Sequence, residues 1–297
     1  GQGLFRRSRS KVRQRRPRRR SEGRALSGEA AFIASLRHLA THPAARGLND
    51  DAAVIEIGGD EIVVTHDTMV EGVHWLPGQD MADVAWKLVA VNLSDLAAKG
   101  AEPIGVLLGH MLGSDDARFV EGLGDVLTAY GVPLLGGDTV SGGPPRTLGL
   151  TALGRATSLP VPSRSGARAG EAVWMCGTVG AAMMGFEALR DGTGEDSQAY
   201  RRPRPLLAEG QRLAPMISAM MDVSDGLLLD AERMASASKV KITIDLATIP
   251  LSPPYRQQRG DSLDSRLQAA SWGDDYQLLF CLLLYAQSNR SKQIRLR

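Results

Sequence analysis

Cysteine is nearly absent from this sequence: Cys176 and Cys281 are the two in 297 residues. That excludes a disulfide framework and a Cys-rich zinc site. Both cysteines lie in apolar, strand-like runs, so they are expected as small core residues of a protein in a reducing, cytoplasmic compartment. No apolar run approaches the roughly 20 residues of a membrane-spanning helix. The usual phosphate cradles are missing as well, with no G-x-x-x-x-G-K-[ST] and no kinase-type H-R-D. No G-x-S-x-G elbow supports a serine nucleophile.

What charge there is, is unevenly spread. The formal net charge is +2, but residues 1–24 hold eleven Lys or Arg against the single acid Glu22. The rest carries 24 basic and 32 acidic side chains, a net of −8. Beyond Leu4, Phe5 and Val12 the basic stretch has almost nothing apolar, so residues 1–27 are expected to be a disordered arm. Nucleic-acid binding is its functional reading. An extension without a role in the folded part is the favoured one.

The length suggests one or two domains. Residues 28–40 read as a short helix. Strands at 53–57 and 61–65, joined through Gly58-Gly59-Asp60, read as a hairpin that runs into Asp67. The clearest helix starts after Asp80, an N-cap with Asp83 three residues on, and stops at Gly100 with Pro103 beyond. At about 100° per residue, Trp86, Ala90, Leu93 and Ala97 share one stripe of that helix and Asn92, Asp95 and Lys99 the opposite one. Taken alone, Asp95 is a carboxylate on a solvated face.

Strands are then expected at 104–111, 132–135 and 146–156, with a helix at 115–130. The Pro- and Ser-rich residues 159–166 form the expected boundary between a domain of residues 28–160 and one of 161–297. In the second half, strands are expected at 172–176, 240–246 and 276–284. Helices are expected at 181–190, 206–216 and 227–237, with a turn at 250–254. Strands alternating with helices make the fold α/β (α+β).

Acids recur at the ends of these runs: Asp50-Asp51, Asp67, Asp95, Asp138, Asp222 with Asp225, and Asp274-Asp275. Each one fits a cap or a turn equally well. If they converge, their repulsion calls for cations between them. Oxygen ligands in number, without a His/Cys cluster, suit Mg²⁺ or a similar hard cation. Mg²⁺ in turn suggests phosphate chemistry, because it bridges carboxylates to phosphate oxygens. Gly177-Thr178-Val179-Gly180 ahead of a helix is a second, weaker candidate for holding an anion.

Six segments in order resemble the signatures of bacterial thiamine-monophosphate kinases. They are Asp50-Asp51-Ala52-Ala53, the run Thr65 to Trp75, the run Asn92 to Ala101, Gly136-Gly137-Asp138-Thr139, the run Met221 to Leu227, and Gly273-Asp274-Asp275-Tyr276. The resemblance covers roughly residues 28–280. It implies ATP- and Mg²⁺-dependent phosphorylation of thiamine monophosphate to thiamine diphosphate. It also implies the two-domain fold of aminoimidazole-ribonucleotide synthetase, with two N-terminal domains pairing into a β-barrel across a homodimer. By the same resemblance Asp51, Thr65, His66, Asp67, Asp95, Asp138, Asp222 and Asp225 hold several Mg²⁺ ions. Gly137, Asp138, Arg164 and Ser224 meet ATP, and His74 and Asp274 meet the substrate. No general base is implied, since a phosphate oxygen is already deprotonated at neutral pH.

The chain departs from the family pattern at four places. His66 stands where a hydroxyl residue is frequent, leaving its backbone carbonyl as the hard-cation ligand. Trp272 replaces a usual Gly, Asp274 is shorter than the common Glu, and the resemblance stops after Phe280. The alternative reading is therefore a non-catalytic or impaired nucleotide-binding relative of the same fold. Selenophosphate synthetase is disfavoured because no Cys lies near the start of the folded part.

Overall fold

The computed structural model describes residues 28–283. The basic arm and residues 284–297 lie outside the described residues. The chain divides after Leu39 into two units. The first carries α1 (Gly28–Leu36), a short helix within the expected 28–40.

The second unit opens with β1 (Ala53–Ile57) and β2 (Asp60–Val70), which form the expected hairpin. Gly58 and Gly59 turn it at φ 63° and 91°, the left-handed values that a two-residue turn requires. After these come α2 (Met81–Ala98), β3 (Ala101–Met111), α3 (Asp116–Tyr130), β4 (Leu134–Val140) and β5 (Thr147–Ala156). They complete a five-stranded sheet in the order β1-β2-β5-β3-β4. Only β3 and β4 run parallel, with α3 as their crossover. β2 is longer than the sequence suggests, so Thr65, His66 and Asp67 lie within the strand. β4 likewise contains Gly136-Gly137-Asp138-Thr139 instead of ending before it. A Cβ at Gly137 would fall 1.9 Å from the Leu108 carbonyl oxygen, which is why a glycine stands there.

The second half contains β6 (Ala172–Cys176), α4 (Ala181–Asp191), α5 (Gln198–Arg201), α6 (Leu207–Leu213), β7 (Ala219–Val223), α7 (Leu227–Ser238), α8 (Pro253–Arg259), α9 (Leu263–Ala270) and β8 (Gln277–Leu282). Its sheet has the order β6-β8-β7, and both pairs are antiparallel. The strand expected at 240–246 is absent. Val240, Ile242 and Ile244 pack on the second core from an unpaired segment, so burial alone accounts for their alternation. The turn expected at 250–254 is the start of α8, where the Ser252 hydroxyl caps Tyr255 N–H and Pro253 occupies the first turn. Cys281 is buried and unpaired, and burial pushes its thiol up to about 12.

α2 joins the two sheets. It packs on β2 and β5 from one side and on β7, β8, α5 and α6 from the other. Every residue of it except Trp86 and Asp95 is buried. The solvated face expected at Asn92, Asp95 and Lys99 therefore does not exist: Asn92 and Asp95 meet Asp67 and Thr65 of β2, and Lys99 meets Asp50 and Asp51 ahead of β1. Trp86, expected on the buried stripe, sits at the rim with its indole N–H donated to the Pro203 carbonyl at 3.2 Å. α3 crosses α2 so closely that a Cβ at Gly122 would lie 2.2 Å from the Ala82 carbonyl oxygen. Gly122→Ala is expected to cost about 1–3 kcal/mol by forcing these helices apart. A thermal melt checks this, and an unchanged Tm would contradict the crossing.

Candidate active site

Five of the eight expected metal ligands, Asp51, Thr65, Asp67, Asp95 and Asp222, come together beside α2. β2 aims Thr65 and Asp67 at the helix, as the alternation of a strand requires. Asp95 projects from α2, and Asp222 from β7 just before the chain turns into α7. One carboxylate oxygen from each of Asp51, Asp95 and Asp222 lies within 4.8 Å of the others. The Thr65 hydroxyl is within reach of the Asp95 carboxylate and of the Asp51 carbonyl. Asn92 accepts Asp67 N–H at 3.2 Å, and Ser94 donates to Asp222 at 2.6 Å.

Crowding of like charge in a buried place dominates the electrostatics. Burial, then Asp67 and Asp222, hold the Asp95 carboxyl well above its usual range. Asp222 is pushed up to about 6 by burial, with Asp230 and Asp67 adding to it. Asp67 is raised by burial and by Asp225, against His66 and His74. These groups are poor anions until a cation joins them. The donors are oxygens only, which fits a hard divalent ion.

At one edge of the cluster Asp51, together with its neighbour Asp50, already has basic partners. Lys99, fully buried, donates to Asp50 at 2.5 Å and to Asp51 at 2.7 Å. Arg46 pairs with Asp50 at 2.6 Å, and Arg164 with Asp51. Burial pushes Asp50 up, but Lys99 and Arg46 outweigh it and leave the carboxyl below its usual value. The Nε of Arg164 is buried and has no hydrogen-bond partner among the described residues. Arg164 thus keeps a donor in reserve at the edge of the site.

The loops that carry Ser224 and Asp274 pack backbone to backbone. Asp274 N–H donates to the Ser224 carbonyl and Tyr276 N–H to the Val223 carbonyl, both at 2.8 Å. A Cβ at Gly273 would lie 2.4 Å from the Ser224 oxygen, so the glycine permits this contact. Asp225 is exposed and paired with Arg233, which also holds the buried Asp230 at 3.0 Å.

Other expected site residues lie elsewhere. The His66 ring points to the opposite face of β2, where it meets Thr151 at 2.9 Å and Thr68 at 3.2 Å, so its carbonyl alone is left for a cation. Gly137 and Asp138 lie on β4, with β5 and β3 between them and β2. Three strand spacings put them about 14 Å along the sheet from Asp67, apart from the acid cluster of the same chain. The anion-binding end expected at Gly177 to Gly180 is filled from within: Asp275 accepts Gly180 N–H at 3.1 Å and Ala182 N–H at 3.3 Å.

Several participants escape a reading of the sequence. Lys99, Asn92 and Ser94 gain roles because α2 is covered on both sides, and Asp230 and Arg233 because α7 turns back on the Asp222 loop. The polar spacing Asn92, Asp95, Lys99 was the visible signal; its burial was not.

Asp222 titrates near 3.8 when unfolded and near 6 when folded, so the folded state holds this proton more tightly. Its favourable contribution is full below about pH 4 and is lost as pH rises through 6. Asp222→Asn is therefore expected to raise the Tm of the metal-free protein at pH 7.5 and to raise it less at pH 4.5. The same variant is expected to lose most of the Tm gain from Mg²⁺. Melts at the two pH values check this, and a variant destabilised equally at both would contradict it.

Comparison with known proteins agrees with the geometry. Residues 49–156 match the family model of the AIR synthase related protein, N-terminal domain, and residues 168–277 match that of the C-terminal domain. The thiamine-monophosphate kinase of Caulobacter vibrioides is 38% identical over 250 residues, covering 80% of this chain and 71% of that protein. The Escherichia coli K12 enzyme of the same name is 35% identical over 250 residues, covering 79% and 75%. Among solved structures, AaThiL complexed with AMPPCP and TMP superposes with a TM-score of 0.77 at 28% identity, covering 86% of this chain and 85% of that one. The Stenotrophomonas maltophilia thiamine-monophosphate kinase gives 0.69 at 33% identity, covering 87% and 86%. The chain belongs to the thiamine-monophosphate kinase family, on the two-domain fold of the AIR synthase related proteins.

Proposed function

We propose that this chain is a kinase that transfers the γ-phosphoryl group of ATP to thiamine monophosphate, giving thiamine diphosphate. The observation that carries this is the convergence of Asp51, Asp95 and Asp222, oxygens within 4.8 Å, where hard cations and phosphates would meet. Family membership supplies the substrates, and the AMPPCP and TMP in AaThiL support both of them.

Asp51, Thr65, Asp67, Asp95, Asp222 and Asp225, with the His66 carbonyl, are the residues that would hold Mg²⁺, and Asp138 belongs to the set inferred from the family. Bound Mg²⁺ supplies neutralisation of the β- and γ-phosphate charge that builds up in transfer. Arg164, with its unpartnered Nε, and Ser224 would bind the ATP phosphates, together with Gly137 and Asp138. His74 and Asp274 would orient thiamine monophosphate with a phosphate oxygen in line with the γ-phosphorus. That oxygen needs no base, so alignment is the main task of the protein.

The domain division at residues 160 and 161, a cytoplasmic location and a homodimer belong to the same proposal. No helix among the described residues is long and apolar enough to cross a membrane. A dimer is favoured by β4, exposed along its whole length, where Leu134, Leu135 and Val140 lie 47–53% exposed beside Leu107 at 41%. Leu135→Glu is expected to turn a dimer into a monomer by light scattering, and a wild-type protein that is monomeric at micromolar concentration would contradict the pairing.

The direct test is incubation with ATP, Mg²⁺ and thiamine monophosphate. Thiamine diphosphate is expected from the wild type. Asp95→Asn is expected to fold normally and lose at least about 10²-fold in kcat, a magnitude usual for removal of charge-stabilising groups. ATP binding without product would favour the non-catalytic reading, and near wild-type turnover in Asp95→Asn would remove the acids from the mechanism.

A further inference from the structure

Lys87 lies on α2, two turns before Asp95, and its side chain is 1% exposed. Three groups saturate its ammonium. It pairs with Asp274 Oδ2 at 3.2 Å, donates to the His74 carbonyl at 3.1 Å, and sits 3.9 Å from the centre of the Tyr200 ring. The Tyr200 hydroxyl donates to the same His74 carbonyl at 3.2 Å. One cation thus ties together the loop after β2, helix α5 and the loop before β8.

Both residues it holds are the candidate substrate contacts. Asp274 stands at φ 64°, a conformation that costs a non-glycine residue energy and needs outside support. Its carboxylate is fixed by Lys87 on one oxygen and by the Tyr276 hydroxyl at 3.0 Å on the other. The His74 ring accepts Val70 N–H at 2.9 Å through Nδ1, so Nε2 carries the proton, with no hydrogen-bond partner among the described residues. An apolar side chain of similar length would pack in place of Lys87 without the desolvation cost of a buried charge. The charge stands where two residues on loops from different halves of the chain must share one orientation.

We propose that Lys87 is a positioning residue for the acceptor substrate: it sets the His74 ring and the Asp274 carboxylate in register with each other, and touches no reacting atom. This rests on the proposed kinase reading. The chemistry of the acceptor agrees with it, since a fixed carboxylate and a fixed N–H donor suit a ligand that carries a cationic ring and a phosphate.

Lys87→Met is the test, with crystal structures and kinetics of wild type and variant. In the variant the Asp274 carboxylate and the His74 loop are expected to shift by about 1 Å or more while the acid cluster stays in place. KM for thiamine monophosphate is expected to rise about tenfold, with KM for ATP unchanged and kcat reduced no more than about threefold. A general loss of packing would instead move both KM values and kcat together. If the wild type fails to turn over thiamine monophosphate, the kinase reading falls, and the crystal structures still decide the positioning role. Unmoved His74 and Asp274, or a wild-type KM for the acceptor in an active enzyme, would overturn it. Where Lys87→Met does not fold, Lys87→Gln keeps a donor without the charge and is judged by the same criteria.

Discussion

Repulsion among buried carboxylates is the constraint on which the site depends. α2 lies between two sheets, and the faces it presents to them deliver Asp95 to Asp67 on β2 and to Asp222 on β7. Three like charges at such separations cannot all ionise in a buried place without a cation. The fold holds them there through close packing elsewhere. Gly122 admits α3 onto α2, and Gly100, at φ 59°, ends the helix where a Cβ would lie 2.4 Å from the Ala214 side chain.

The chain meets its own cation requirement unevenly. Asp50 and Asp51 are matched by Lys99, Arg46 and Arg164, all from within the chain. Asp95, Asp67 and Asp222 form no ion pair among the described residues, although Lys99 and Arg164 act on Asp95 and Asp222 from farther off. Internal cations therefore anchor one side of the cluster and leave the other to an external ion. Farther along α2, Lys87 plays the equivalent part for Asp274, so a single helix bears on both the proposed metal side and the proposed acceptor side.

Much of the fold was legible in local pattern. The β1–β2 hairpin, α2, α3, α4 and α7 follow from caps, glycines and apolar spacing. The strand expected at 240–246 failed because alternation reports burial of one side, and burial does not require a pairing partner. The wet face of α2 failed for the converse reason. A polar stripe on a helix marks the side facing water or the side facing a polar site, and only tertiary contacts with residues 50–67 and with Asp222 decide between them. The acids themselves were visible from their places at element ends. Their convergence was not, since Asp51, Asp95 and Asp222 come from three distant stretches. Lys99 and Lys87 were hidden most deeply, because buried lysines are rare and nothing in their neighbours distinguishes them from surface ones.

Proton release during Mg²⁺ titration tests the central claim most directly. If the converged acids wait for a divalent cation, Mg²⁺ binding at pH 6 must expel protons held by Asp95 and Asp222. The expected result is proton release on Mg²⁺ binding at pH 6, less release at pH 8, and reduced release in Asp95→Asn. Mg²⁺ binding at pH 6 without proton release, or no binding at either pH, would contradict it.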